Sequence, residues 1–129
     1  MPKDDAPKKI LIVDDDPFIV DMYVLKFKDQ GFEVEIASDG KSGWEKVQKF
    51  APDLILLDVV MPSVDGFDLL QKIKSGKSPA KIILLTNLGQ KDDIEKGRQL
   101  GADDYLIKAH FTPTEIVDKA KEILGIKKN

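Results

Sequence analysis

Ile10-Leu11-Ile12-Val13, Leu54-Ile55-Leu56-Leu57 and Ile82-Ile83-Leu84-Leu85 are apolar at every position and end at Asp14, Asp58 and Thr86. A strand with one wet face would alternate; an unbroken apolar run of this length reads as a strand covered on both faces. Two further strands are expected over 33–37, whose polar alternation suits a sheet edge, and over 104–107, ending at Lys108. Helical patterns fill the gaps, over about 17–30, 40–50, 65–75, 90–100 and from 113 onward. Phe18, Met22 and Leu25 mark a stripe on the first, and Gly97 interrupts the fourth. Thr112-Pro113-Thr114-Glu115 is a capping box with proline at the first helical position, and Ile116, Val117, Ala120, Ile123 and Leu124 keep helical spacing after it. Five strands alternating with five helices predict a doubly wound α/β domain, a parallel sheet with helices on both faces. Trp44 and the phenylalanines are assigned to the core, and Asp65 and Gly66 to the start of the third helix.

Composition removes several kinds of chemistry. The 129 residues include no cysteine and one histidine, which excludes disulfides, thiolate metal sites, a cysteine nucleophile and any multi-histidine metal site. Lys and Arg total 20 against 23 Asp and Glu, a net charge of −3, without the basic stripe of a nucleic-acid binder. No apolar run approaches the roughly 18 residues that span a bilayer. The polar start MPKDDAPKK lacks a signal-peptide apolar stretch, so the expected location is cytoplasmic. A disordered tail is expected over 1–8 and one domain over 9–126.

In open parallel sheets ligands bind beyond the carboxyl ends of the strands. The residues there are Asp14 and Asp15, Asp58, Thr86 and Lys108. Clustered carboxylates repel, and at least one would resist ionisation without compensation. Magnesium, a hard cation that takes a few carboxylates and otherwise water or phosphate oxygens, relieves this. An acidic pocket with a metal and a lysine suits a phosphoryl group, and a carboxylate there can itself become an aspartyl phosphate. Asp14-Asp15-Asp16 also has a plain reading as a solvated turn and helix cap; Asp58 and Lys108 weigh against it for the first two, while Asp16 is read as a cap only.

Ile12-Val13-Asp14-Asp15, Leu57 to Pro62 with Asp65-Gly66, Leu85-Thr86, Gly101-Ala102 and Tyr105-Leu106-Ile107-Lys108, in this order and spacing, resemble a receiver domain of two-component response regulators, close to the stand-alone chemotaxis type, over about residues 9–125. The resemblance implies a flavodoxin-like sheet of order 2-1-3-4-5. It implies Asp58 as phosphoacceptor. It implies Mg2+ (Mn2+ as a substitute) held by Asp14, Asp15, Asp58 and the backbone carbonyl of Val60. Lys108 and Thr86 then meet phosphoryl oxygens, and Tyr105 changes rotamer to alter the face of the fourth helix, fifth strand and fifth helix. The implied partners are a sensor histidine kinase or phosphotransfer protein and a downstream protein target, with no direct nucleic-acid contact, no membrane insertion, and a monomer or phosphorylation-dependent dimer. With no output domain in the chain, it is expected to be a single-domain regulator or the receiver of a longer protein. Beyond phosphorylating itself and slowly reversing that step, no metabolic activity is implied.

Three positions depart from the pattern. The residue after the lysine is commonly proline in a cis bond; here it is Ala109, and since a cis bond before a non-proline residue costs about 2.5–4 kcal/mol, the Lys108–Ala109 bond is expected to be trans. Asn87 stands where a small residue is common and is expected to narrow access to Asp58. Val60 and Leu88, which flank the acceptor, are apolar and unable to orient an attacking water, so phosphate loss is expected to be slow. Substituting Val60→Asn with Leu88→Glu should shorten the lifetime of the phosphorylated form; an unchanged decay would contradict this. Two competing readings are a receiver-like interaction module without phosphorylation, which the complete acidic set opposes, and a flavin binder, whose phosphate Asp14-Asp15-Asp16 would repel.

Overall fold

Each strand expected from the apolar runs is present in the computed structural model, which describes residues 7–60, 66–87 and 91–126. They are β1 (Lys9–Val13), β2 (Glu33–Ala37), β3 (Leu54–Leu57), β4 (Lys81–Thr86) and β5 (Asp104–Ile107). Between and after them run α1 (Pro17–Asp29), α2 (Gly40–Phe50), α3 (Gly66–Ser75), α4 (Lys91–Gln99) and α5 (Pro113–Leu124), with a 3-10 turn at Lys108–His110 that the sequence pattern does not signal. All four strand pairings are parallel, in the order β2-β1-β3-β4-β5, which puts the polar-alternating β2 at an edge. The tail expected over 1–8 lies outside the described residues as far as residue 6, as do Met61, Pro62, Asp65 and Leu88.

Successive residues of a strand face opposite sides, and on the three central strands β1, β3 and β4 both sides are dry. Leu11, Val13, Ile55, Leu57, Ile82 and Leu84 join Leu69, Leu70 and Ile73 of α3 and Val47 of α2 in one core layer. Ile10, Ile12, Leu54, Leu56, Ile83 and Leu85 join Val20, Tyr23 and Phe27 of α1 and Ile116, Val117 and Ala120 of α5 in the other. The helix starts are capped as expected: the Asp16 carboxylate accepts from the backbone N–H groups of Phe18 and Ile19, and Thr112 and Glu115 form the reciprocal box. No helix among the described residues is long and apolar enough to cross a membrane.

Two packing expectations need correction, and one glycine gains a role the pattern does not show. Phe18, Met22 and Leu25 do not face the core; they are 82%, 51% and 70% exposed, and the buried face of α1 is Val20, Tyr23 and Phe27. Both triplets have helical spacing, so periodicity cannot choose between them; the choice is made by which face meets β1, β3 and α5. Trp44 is partly buried at the margin of its layer, with the Lys72 ammonium over its ring at 5.0 Å. Gly97 has a packing role: a Cβ there would stand 2.5 Å from Leu84 Cδ1 and 3.0 Å from Tyr105 Cδ2, so the glycine lets the helix backbone lie directly on β4 and β5.

Candidate functional site

The chain leaves β1 in one direction and β3 in the other, so the carboxyl ends of these neighbouring strands open a crevice at the point where strand order reverses. Asp14 stands at the end of β1 and Asp58 at the end of β3, their backbones tied by the Asp58 N–H to the Val13 carbonyl at 2.9 Å. Both side chains are buried, whereas Asp15 faces solvent. Ligand oxygens of Asp14, Asp15 and Asp58 lie within 4.8 Å of one another, and among the described residues this is the one such acidic cluster.

Lys108 completes the group from the far edge of the sheet. Its Nζ lies 2.6 Å from Asp14 Oδ2 and 2.9 Å from Asp58 Oδ2, with all three side chains at least nine-tenths buried. The second oxygen of each buried carboxylate accepts a backbone N–H: Asp16 to Asp14 Oδ1 and Val60 to Asp58 Oδ1, both at 3.0 Å. Burial pushes the Asp14 pKa above its usual 3.8 despite the Lys108 ammonium and the Asp16 amide, which pull the other way. For Lys108 burial works against the charge, but the hydrogen bonds and charges of Asp14 and Asp58 outweigh it and raise the pKa above 10.5. The lysine therefore stays an ammonium at any ordinary pH.

Three ionised carboxylates and one ammonium leave a formal charge of −2, which a divalent cation neutralises. The donors are all hard oxygens, two from buried residues and one from a solvent-facing residue, where water can share coordination. That set fits Mg2+ or Mn2+ rather than a softer metal.

Thr86 ends β4, buried, between β3 and β5 in strand order. Tyr105 of β5 is half-buried beside Gly97 and borders a cleft with Ile94 and Arg98 of α4. Burial first, then the Asp93 and Asp58 charges, push its phenol up to about 12, so it remains a neutral hydroxyl. Val60 is exposed beside the site. The Oδ1 of Asn87 accepts the Ala109 N–H at 3.2 Å. The Lys108–Ala109 bond is trans, as no cis bond occurs among the described residues.

The sequence pattern assigns Gly66 only to the shaping of α3. Its role at the site is closer: a Cβ there would fall 2.3 Å from the Asp58 carbonyl oxygen and 2.4 Å from Val59 Cα. A glycine at the first turn of a helix, where most residues are tolerated, is the available signal.

The response regulator receiver domain family matches residues 10–121. The chain is 38% identical over 117 residues to the alkaline phosphatase synthesis transcriptional regulatory protein PhoP of Bacillus subtilis, covering 91% of this chain and 48% of that protein. It is 39% identical over 118 residues to the DNA-binding dual master transcriptional regulator RpaA of Synechocystis, covering 90% and 48%. The chain thus spans about half the length of the curated relatives it matches. Among solved structures it resembles a CheY-like receiver domain protein from Methanospirillum hungatei, with TM-score 0.88, 32% identity and coverage of 93% and 95%. It also resembles the chemotaxis protein CheY4 of Vibrio cholerae, with TM-score 0.85, 31% identity and coverage of 92% and 99%.

Proposed function

This chain belongs to the response regulator receiver domain family, and on that premise we propose that it accepts a phosphoryl group on Asp58 from a histidine kinase or phosphotransfer protein and switches a protein-binding face. The observation that carries the reading is the buried Asp58 carboxylate held by the Lys108 ammonium inside an acidic cluster of divalent-cation type. A carboxylate oxygen of Asp58 bonds to phosphorus as the bond from phosphorus to the donor's leaving atom breaks. Lys108 and Thr86 meet the oxygens of the transferred group. Asp14, Asp15, Asp58 and the Val60 carbonyl would hold Mg2+, which when bound offsets charge on the phosphoryl oxygens. Once phosphorylated, Asp58 no longer offers Lys108 the same carboxylate, and the rearrangement passes through Thr86 to Tyr105 and the face of α4, β5 and α5. A cytoplasmic location and a protein target go with this reading, and no nucleic-acid contact is assigned to these residues.

The deciding experiment is intact mass after incubation with Mg2+ and acetyl phosphate. A single phosphoryl increment is expected, absent in Asp58→Asn. Folded, magnesium-binding protein that takes no increment from acetyl phosphate or from a histidine kinase would leave the interaction-module reading in its place.

The donor protein has a surface to meet. Phe18, Met22 and Leu25 form an exposed apolar stripe on α1, which begins at the Asp14–Asp16 turn beside the site. Phe18→Asp is expected to slow phosphotransfer from a cognate kinase by at least about tenfold, the scale of a lost interface anchor. The rate with acetyl phosphate should be unaltered; equal loss with both donors would remove the stripe from donor recognition.

A further inference from the structure

Resting on the proposed phosphoryl transfer to Asp58, we infer that Asn87 is a positioning residue for Lys108, acting through the backbone amide of Ala109. Asn87 directly follows the last residue of β4, and Ala109 lies two residues past the end of β5. The final registered pair of that ladder is Thr86 with Ile107. The hydrogen bond from Ala109 N to Asn87 Oδ1 ties the two segments once more where the ladder has run out.

The tie sits where it governs the lysine. β5 is an edge strand, and the Lys108 side chain passes the end of β4 to reach Asp58 beyond β3 and Asp14 beyond β1. A long side chain amplifies any rotation of the backbone that carries it. The Ala109 N–H and the Lys108 carbonyl belong to one rigid peptide plane, so holding the N–H holds the plane on which Lys108 pivots. A proline at 109 would offer no N–H to hold; alanine offers one, and the Asn87 oxygen takes it. The two departures from the resembled pattern thus meet in a single bond. Because both residues are exposed, the bond adds little to global stability, and its effect belongs to the placement of the ammonium.

The test is the rate of Asp58 phosphorylation by acetyl phosphate at saturating magnesium, measured beside the magnesium Kd and the Tm. In Asn87→Ala the rate is expected to fall roughly 3- to 10-fold, the scale of one hydrogen bond that acts on a reacting group's position, with Kd and Tm unaltered. In an Ala109→Pro background, which lacks the N–H, adding Asn87→Ala should have no further effect, whatever the rate of that background. A wild-type rate in Asn87→Ala overturns the inference. So does a rate loss matched by losses in magnesium affinity and Tm, or one that persists in the Ala109→Pro background. Wild-type protein that takes no phosphoryl group removes the Asp58 reading itself, and the inference with it; an unaltered variant beside an active wild type removes the inference alone.

Discussion

Lys108→Ala is expected to destabilise the metal-free protein by about 3–5 kcal/mol, the usual result of removing one partner from a buried ion pair, and to reduce phosphoryl uptake below detection. The cause is the pair of carboxylates left behind. Asp14 and Asp58 both give an oxygen to this ammonium from buried positions. Without it they face each other with their amide donors alone. The pH dependence has a definite sign. In the wild type the folded pKa of Lys108 is raised above 10.5, so its contribution is complete below that value and is lost only as pH rises through the folded one. In the variant the group that matters is Asp14, whose folded pKa burial already holds above 3.8. Loss of the ammonium raises it further. A carboxyl with a raised folded pKa is penalised when ionised, so the deficit is full above the folded value and fades as pH falls toward 3.8. Magnesium replaces the missing charge and should restore part of the stability, more in the variant than in the wild type. Urea unfolding at about pH 7 and about pH 4.5, with and without magnesium, checks this; linkage requires a smaller deficit at the lower pH. An equal deficit under all four conditions would show that the lysine acts through packing and not through its charge.

The same site shows which parts of a sequence speak for themselves. Strands buried on both faces announce themselves because the run is apolar at every position, and Asp14, Asp58 and Thr86 stand out simply as the polar residues at which such runs end; Lys108 follows the mixed edge strand β5 and is marked less sharply. The buried face of α1 is hidden for a physical reason: the helix carries two apolar stripes, one for the core and one left in water, and a spacing rule is satisfied by either. Glycine is the second blind spot. Gly97 looks like a defect until Leu84 and Tyr105 are seen against it, and Gly66 looks like punctuation until the Asp58 carbonyl is. In both cases the reason lies with residues distant in sequence or across a turn, and local pattern does not contain it. The Asn87–Ala109 bond is out of reach for the same reason, since it joins positions 22 apart that become neighbours only through the pairing of β4 with β5.

Gly66→Ala is expected to cost about 3 kcal/mol, the upper end of ordinary overpacking, and to slow Asp58 phosphorylation by as much as about 10²-fold, the scale of a 1 Å displacement at a reacting group. The added methyl would sit 2.3 Å from the Asp58 carbonyl oxygen, 2.4 Å from Val59 Cα and 3.0 Å from the Asp58 carbonyl carbon. These are backbone atoms, so no rotamer change relieves the overlap. Either α3 backs away or the segment carrying the phosphoacceptor does. The helix is held: Phe67, Leu69, Leu70 and Ile73 are buried in the core layer beneath it. The segment after β3 is held as well, by the Asp58 N–H to the Val13 carbonyl at 2.9 Å, by the Gly66 N–H to the Val59 carbonyl at 3.1 Å, by the Val60 amide to the Asp58 side chain and by Val59, buried in the same core layer. The overlap falls on the Asp58 carbonyl itself, so any share of the displacement taken by this segment shifts the Asp58 carboxylate relative to Lys108. Gly31→Ala is the matched control. Gly31 has φ of +88° at the opposite end of α1, so a side chain there is strained although nothing lies within 4 Å. It should lose stability while phosphorylating at the wild-type rate. Were Gly66→Ala to behave like that control, less stable but chemically normal, α3 would be the element that yields, and Gly66 would serve the packing of that helix and not the placement of Asp58.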